Sequence, residues 1–368
     1  MTATLRVVLD QLGAGAPDPN LAIAERELAR ALVRSAPTDC VVAALVPAGD
    51  EVATEEAVPG LASVSRTMLA RRELAAAWQR GLATGSAHGM VHAPSLFAPV
   101  GRHDRVHDGN QTVVTLWDLR AWERPDSLPR GTVSWQRAML RRAEKHADAV
   151  VVPTHAMAAA VGAHSRLERR VRVIPGAAPA GFAPPVDAAE RRRTFQVAEG
   201  ALVLDGSGSQ LELTSVLRAL VDADLALPLV VFDADPLRES WLVDAAREAG
   251  YPVGSLHVRG ALPDQDRAAI LSGAAAYLAP ATDSGFPWRM LEALALGVPV
   301  VAVESPVHEE LLLDGGVLVT PEDFGAAVSS VLESDAARRR WSVLAADRGR
   351  AFSWDDAAAR VWALHAEL

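Results

Sequence analysis

Short apolar runs of strand length alternate with helix-period segments along almost the whole chain. Residues 5–9, 40–46, 112–116 and 149–152 are close to continuously apolar, as strands covered by helices on both faces must be. Between the first two of these runs, residues 21–33 repeat apolar positions at helical spacing, which predicts an amphipathic helix. The alternation breaks at residues 175–186, rich in Pro, Gly and Ala, and resumes near residue 201. The second series predicts strands at 201–204, 227–232, 255–259, 276–279 and 298–303. Helices are expected at 211–221, 239–249 and 288–296, and Ser353 is placed to cap a terminal helix. The expected class is therefore α/β with two Rossmann-like domains. Their expected bounds are 1–175 and 187–350, joined by a linker at 176–186 and followed by a terminal segment at 351–368.

A length of 368 residues exceeds what one core usually organises, in agreement with two domains. Half of the residues are apolar and 22% are charged, a globular composition. The formal net charge of -10, without a basic block, argues against a nucleic-acid partner. The single cysteine, Cys40, excludes an internal disulfide framework. No run is long enough to cross a membrane, and the first ten residues lack a signal-peptide pattern, so a cytoplasmic location is expected. Residues 64–82 read as helix-like and carry Arg66, Arg71, Arg72 and Arg80 beside Leu69, Leu74 and Trp78. Two readings stay open there, a solvated face and a peripheral contact with the inner face of an anionic membrane.

The most specific segment runs from Ala279 to Phe286 and continues from Met290 to Val301, a strand, a Gly-Phe loop and a helix closed by Gly297-x-Pro299-Val-Val. Gly297 suits a left-handed cap and Pro299 bars further helix. Together with Val91-His92-Ala93-Pro94-Ser95, Arg172-Val173-Ile174-Pro175-Gly176 and Phe352-Ser353-Trp354, this segment resembles family 4 glycosyltransferases of the actinobacterial, mannosyltransferase-like kind. The resemblance implies a GT-B fold, two Rossmann-like domains facing across a cleft with the last helix crossing back to the first domain. It further implies transfer of a hexose, with retention, from a nucleotide diphosphate sugar to a cell-envelope glycan or lipid-linked acceptor, without a metal or other cofactor.

By the same resemblance, Asp118, Trp117 and Ser284 stand at catalytic positions. Glu292, Gly285, Phe286, Gly206 and Gly208 stand on the donor side, with Glu292 matched to a ribose-binding glutamate; Arg289, about one turn from Ser284, is a donor-side candidate that occupies no family position. Gly15 and His92 stand on the acceptor side. Several matched positions carry different chemistry: Ser284 where the family has a glutamate, Trp117 where it has a histidine, and Pro287 where it has a glycine. An Arg and a Lys are expected after the first strand of the second half, to neutralise the leaving diphosphate. The chain reads Asp205-Gly206-Ser207-Gly208-Ser209-Gln210-Leu211-Glu212 there. Backbone N–H groups of Gly206 and Gly208 are the remaining anion donors. For Glu292 the bland alternative is a solvated helix residue, and for Trp117 a packing role. Two functions are thus open: an active hexosyltransferase, or a degenerate homologue acting as a binding or scaffolding subunit in a hetero-oligomer with an intact paralogue.

Overall fold

The computed structural model describes residues 2–13, 18–82, 88–234 and 238–368, which divide into two compact units. Unit 1 comprises Met1–Gly176, Asp283–Phe286 and Ser353–Leu368, and unit 2 comprises Ala177–Thr282 and Pro287–Phe352.

In unit 1 the strands are β1 (Ala3–Val8), β2 (Cys40–Val46), β3 (Val64–Arg66), β4 (Met90–Ala93), β5 (Gln111–Thr115), β6 (Ala149–Val152) and β7 (Val171–Val173). They form one sheet in the order β3-β2-β1-β4-β5-β6-β7, with every pair parallel. In unit 2 the strands are β8 (Leu202–Asp205), β9 (Leu229–Phe232), β10 (Leu256–Val258), β11 (Ala276–Ala279), β12 (Val300–Val303) and β13 (Val317–Val319). Their order is β10-β9-β8-β11-β12-β13, again parallel throughout. Both orders reverse direction beside the first strand of the unit, where open α/β sheets place ligands at the carboxyl ends. Complete burial of central strands such as β6 and β9 explains their unbroken apolar sequence.

The helix over Pro19–Arg34 starts at Asp18, whose carboxylate accepts from the Asn20 and Leu21 N–H groups, and proline occupies the first turn. Gly297 follows the helix Trp288–Ala295 at φ +67°, and a Cβ there would stand 3.1 Å from the Ser342 carbonyl oxygen. Both facts favour glycine. The helix Trp354–Glu367 belongs to unit 1. Ser353 accepts the Asp355 N–H at its start, and Trp362 Nε1 donates to the Leu32 carbonyl at 3.3 Å.

Residues 64–82 differ from expectation. They form β3, a loop and the helix Arg71–Gln79 rather than one helix. Leu74 and Trp78 point into the core, and Arg71 donates to the buried Asp10 at 2.6 Å. The supposed docking face therefore loses Leu74, Trp78 and one of its cations, while Met68 and Leu82 in the same stretch stay exposed.

Candidate functional site

Within unit 1, Trp117 and Asp118 follow β5 and meet the segment Asp283–Phe286. The Phe286 N–H donates to the Trp117 carbonyl at 3.0 Å, and the two rings pack 5.5 Å apart. Trp117 is 6% exposed, donates from Nε1 to the Pro94 carbonyl at 2.7 Å and also lies against Trp354. It is a packing residue that closes this end of the unit. A Cβ at Gly285 would stand 2.7 Å from Asp283 Oδ1, so glycine lets the loop fold against that carboxylate, with Asp118 Cβ in ordinary contact range at 3.5 Å. Asp118 accepts from the Arg120 backbone at 3.0 Å and from its guanidinium at 3.2 Å. Asp118 in turn, with Asp18 and Asp283, holds the Arg120 pKa above its ordinary value.

Asp283 is equally committed. It accepts from Arg124 at 2.6 Å and from the Gly285 N–H at 2.9 Å. Ser284 donates its N–H to Glu123 at 3.2 Å, and its buried hydroxyl finds no partner. The matched catalytic positions Trp117, Asp118 and Ser284 are thus together, but in an environment already balanced by Arg120, Arg124 and Glu123.

Beside Trp117 and Asp118 lies a small cavity of about 60 Å³, lined in part by Gln11, Arg71, Thr115 and Gln136. Thr115 Oγ1 and Gln136 Oε1 are buried there without hydrogen-bond partners, as is Oδ1 of neighbouring Asp10. Burial, then the adjacent Asp10 carboxylate, raises the Glu25 carboxyl well above its ordinary range. Burial raises Asp10 as well, opposed by Arg71. The cavity has room for water or a ligand hydroxyl, and these polar atoms supply the bonds either would need. Gly15 lies outside the described residues.

His92 does not occupy an accessible acceptor position. It lies within β4 at 0% exposure, edge-on to His365 of the terminal helix with ring centroids 5.6 Å apart. Neither of its ring nitrogens has a hydrogen-bond partner. Burial, then the neighbouring His365, lowers its pKa well below the usual value. The strand that presents it faces the docked helix, which is why it is sealed from solvent.

In unit 2 the loop after β8 was expected to cradle an anion. The Gly206 N–H instead donates to the Phe232 carbonyl at 2.7 Å, and a Cβ at Gly206 would stand 2.9 Å from that oxygen. Gly206 is there for close backbone packing and is not a free phosphate donor. Ser207 N–H goes to Asp205 at 2.7 Å, and Ser209 N–H to Glu212 at 2.7 Å. Gly208 keeps the loop N–H without an acceptor among the described residues. Glu212 completes a capping box with Ser209 and accepts from both the N–H and the hydroxyl of Thr282 at 2.9 Å. Burial opposes its ionisation, yet these N–H donors hold its pKa below the ordinary value. Where the resemblance expects a cation, a firmly held carboxylate ties helix to loop.

Glu292 is 1% exposed, so it is not a solvated helix residue. Its Oε1 accepts from Arg267 at 2.6 Å and from Arg289 at 2.5 Å, and its Oε2 from Arg267 at 3.0 Å. Arg289, also 1% exposed, extends the network through Asp233 at 2.6 Å. Arg267 bonds Asp264 at 2.9 Å and stacks over the Phe182 ring. Asp205 closes the group on the acidic side: burial, then the nearby Asp233, pushes its pKa up to about 6. Arg267, Asp233 and Arg238 were not singled out from sequence. Arg238 donates to the Gly206 and Gly208 carbonyls at 2.8 and 2.9 Å and so braces the loop from outside. The one available cue was Arg267 itself, a cation followed by four apolar residues in a helical stretch that proves buried all round.

Comparison with known proteins agrees with this architecture. Residues 208–334 match the family Glycosyl transferases group 1. The O-antigen chain mannosyltransferase B of Escherichia coli is 24% identical over 282 residues, 73% of this chain and 71% of that protein. Sucrose-phosphate synthase from Thermosynechococcus elongatus superposes with a TM-score of 0.70 at 17% identity, over 99% of this chain and 98% of that one. Anabaena HepE, solved in complex with UDP and glucose, also gives 0.70, at 15% identity over 100% of both chains. Residues 208–334 thus match a glycosyl transferases group 1 domain, the chain has mannosyltransferase homologues at low identity, and its fold is that of the GT-B glycosyltransferase structures.

Proposed function

We propose that this chain acts as a binding or scaffolding subunit of the glycosyltransferase family, with a donor site too altered for hexose transfer on its own. The observation that carries the reading is the state of Glu292. The carboxylate matched to a ribose-binding glutamate is clamped between two buried guanidinium groups. Freeing it would leave Arg267 and Arg289 under-paired in a buried setting, at a cost of several kcal/mol. The rest of the site supports the same reading, since Gly206, Ser207 and Ser209 have no free N–H and Glu212 stands where a cation is needed. The partner in this reading is an intact paralogous transferase, joined through an interface of at least about 1,200 Å².

The second reading is an autonomous, metal-independent transferase that moves a hexose with retention from a nucleotide diphosphate sugar to a glycan or lipid-linked acceptor. It is favoured by the retained Asp118 beside a polar cavity and by Arg238, a guanidinium carried after β9 that reaches the carbonyls of the loop after β8. Calorimetric titration with nucleoside diphosphates and nucleotide sugars separates the two. The first reading expects no binding, and sugar transfer only by a co-purified paralogue. Binding of one donor, weakened by Glu292→Ala, together with turnover by the chain alone, would establish the second.

A further inference from the structure

A different part of unit 1 carries chemistry that neither reading uses. On the helix Arg130–His146, Arg137 and Arg141 are four residues apart and so share a face. That face borders an open groove of about 560 Å³, closed on the other side by residues Gly162 to Arg166. This is the size range of small-ligand sites. Arg137 is fixed by a bond from Nε to the Ala121 carbonyl at 2.9 Å. Among the described residues no carboxylate pairs with Arg137, Arg141 or Arg166. Glu144, the one acid in the lining, accepts the Arg166 N–H at 3.2 Å. The Trp122 and His164 rings lie 6.1 Å apart at the groove wall. Three unpaired guanidinium groups converging in one concavity of a chain with net charge -10 form a local field of opposite sign to the whole.

We propose that this groove binds a phosphate ester. Guanidinium forks match phosphate oxygens in geometry, and their weak hydration lowers the cost of pairing. Trp122 offers a flat apolar surface for whatever the phosphate is attached to. The inference is independent of the donor site, because every residue it uses lies between positions 121 and 166.

The same phosphate chemistry is presented by soluble esters and by lipid headgroups, and the test has an arm for each. Pyrophosphate and glycerol 3-phosphate are titrated calorimetrically at low salt. Co-sedimentation is measured with phosphatidylcholine vesicles with and without phosphatidylglycerol. Each arm compares the full chain with Arg141→Glu/Arg166→Glu and with a control reversal elsewhere, Arg339→Glu. Binding that falls by about tenfold or more in the groove variant, but not in the control, supports the site, and the responding arm identifies the source. Absence of binding in both arms, or binding that the groove variant leaves unchanged, overturns it. Arg141→Gln/Arg166→Gln, checked by its melting temperature, is expected to give a smaller loss in the same arm. A groove-specific loss that vanishes in this folded neutral pair would also count against the site.

Discussion

Lowering the pH should release the terminal helix, because two histidines are buried where that helix docks. His365 is 3% exposed, and burial lowers its pKa from 6.5 to about 4, opposed by Asp148. Its Nδ1 lies 2.9 Å from Gln111 Oε1, and that bond assigns the proton to Nδ1 and leaves Nε2 a neutral acceptor without a partner. His92 adds two further unpartnered ring nitrogens. The sign follows from linkage: between pH 6.5 and 4 the undocked state binds the proton and the docked state does not, so stability is lost as pH falls through that window. At pH 5, His365 alone accounts for about 2 kcal/mol relative to pH 7.5, and His92 adds to it. Hydrogen exchange of the amides in Trp354–Glu367, corrected for intrinsic rates, reads this local opening. The carboxyls Asp10 and Glu25 titrate with the opposite sign, so the measurement is the difference between wild type and His92→Phe/His365→Gln, which shares those carboxyls. Protection that falls equally in both proteins, within about 0.5 kcal/mol, would refute the reasoning.

Three further outcomes are expected. Glu292→Gln leaves Arg267 with Asp264 and Arg289 with Asp233 but without their shared carboxylate, and should destabilise unit 2 by about 3 kcal/mol, visible as a lower calorimetric transition. An unchanged transition would mean that the arginines find other partners. Trp117→His, a reversion toward the family residue, removes a ring packed on Phe286 and Trp354 and should lose about 3 kcal/mol in denaturant unfolding. Full tolerance would show that the ring merely fills space. Glu212→Ala removes the capping box and both bonds to Thr282, and a loss of about 1 to 2 kcal/mol is expected in the same assay.

Most strands were legible because helices cover both faces of each sheet, so their sequences stay apolar without alternation, as in residues 40–46 and 149–152, whereas β3, β4, β7 and β13, of three or four residues each, were not among the predicted strands. Residues 64–82 misled for a related reason. A short strand, a loop and a helix in succession placed apolar residues at intervals close to helical, and the Val64–Arg66 strand is too short to show its own period. The site was legible only on one side of each contact. Glu292 announced itself by its place in the Gly-Phe segment, but its partner Arg267 lies 25 residues earlier on another helix. The Asp233 that holds Arg289 is 56 residues away. Spacing within a motif does not reveal such partners, because burial and pairing are set by the packing of separate helices.

That pairing also bears on how readily the family chemistry could be restored. Ser284 is the position matched to a glutamate, and its N–H already bonds Glu123 at 3.2 Å. A carboxylate introduced there would stand near Glu123 and Asp283, both acidic, with Arg124 already committed to Asp283 at 2.6 Å. Like charges at such distances disfavour ionisation, so Ser284→Glu alone would bring in a carboxyl that resists the charged form the chemistry needs. In unit 2 the situation has the opposite charge. Adding a cation at position 212 removes the carboxylate that ties Ser209 to Thr282, and it leaves Arg267 and Arg289 still clamped on Glu292. The altered residues are thus coupled to unaltered neighbours in each unit, and single reversions should cost stability before they return any affinity for a donor.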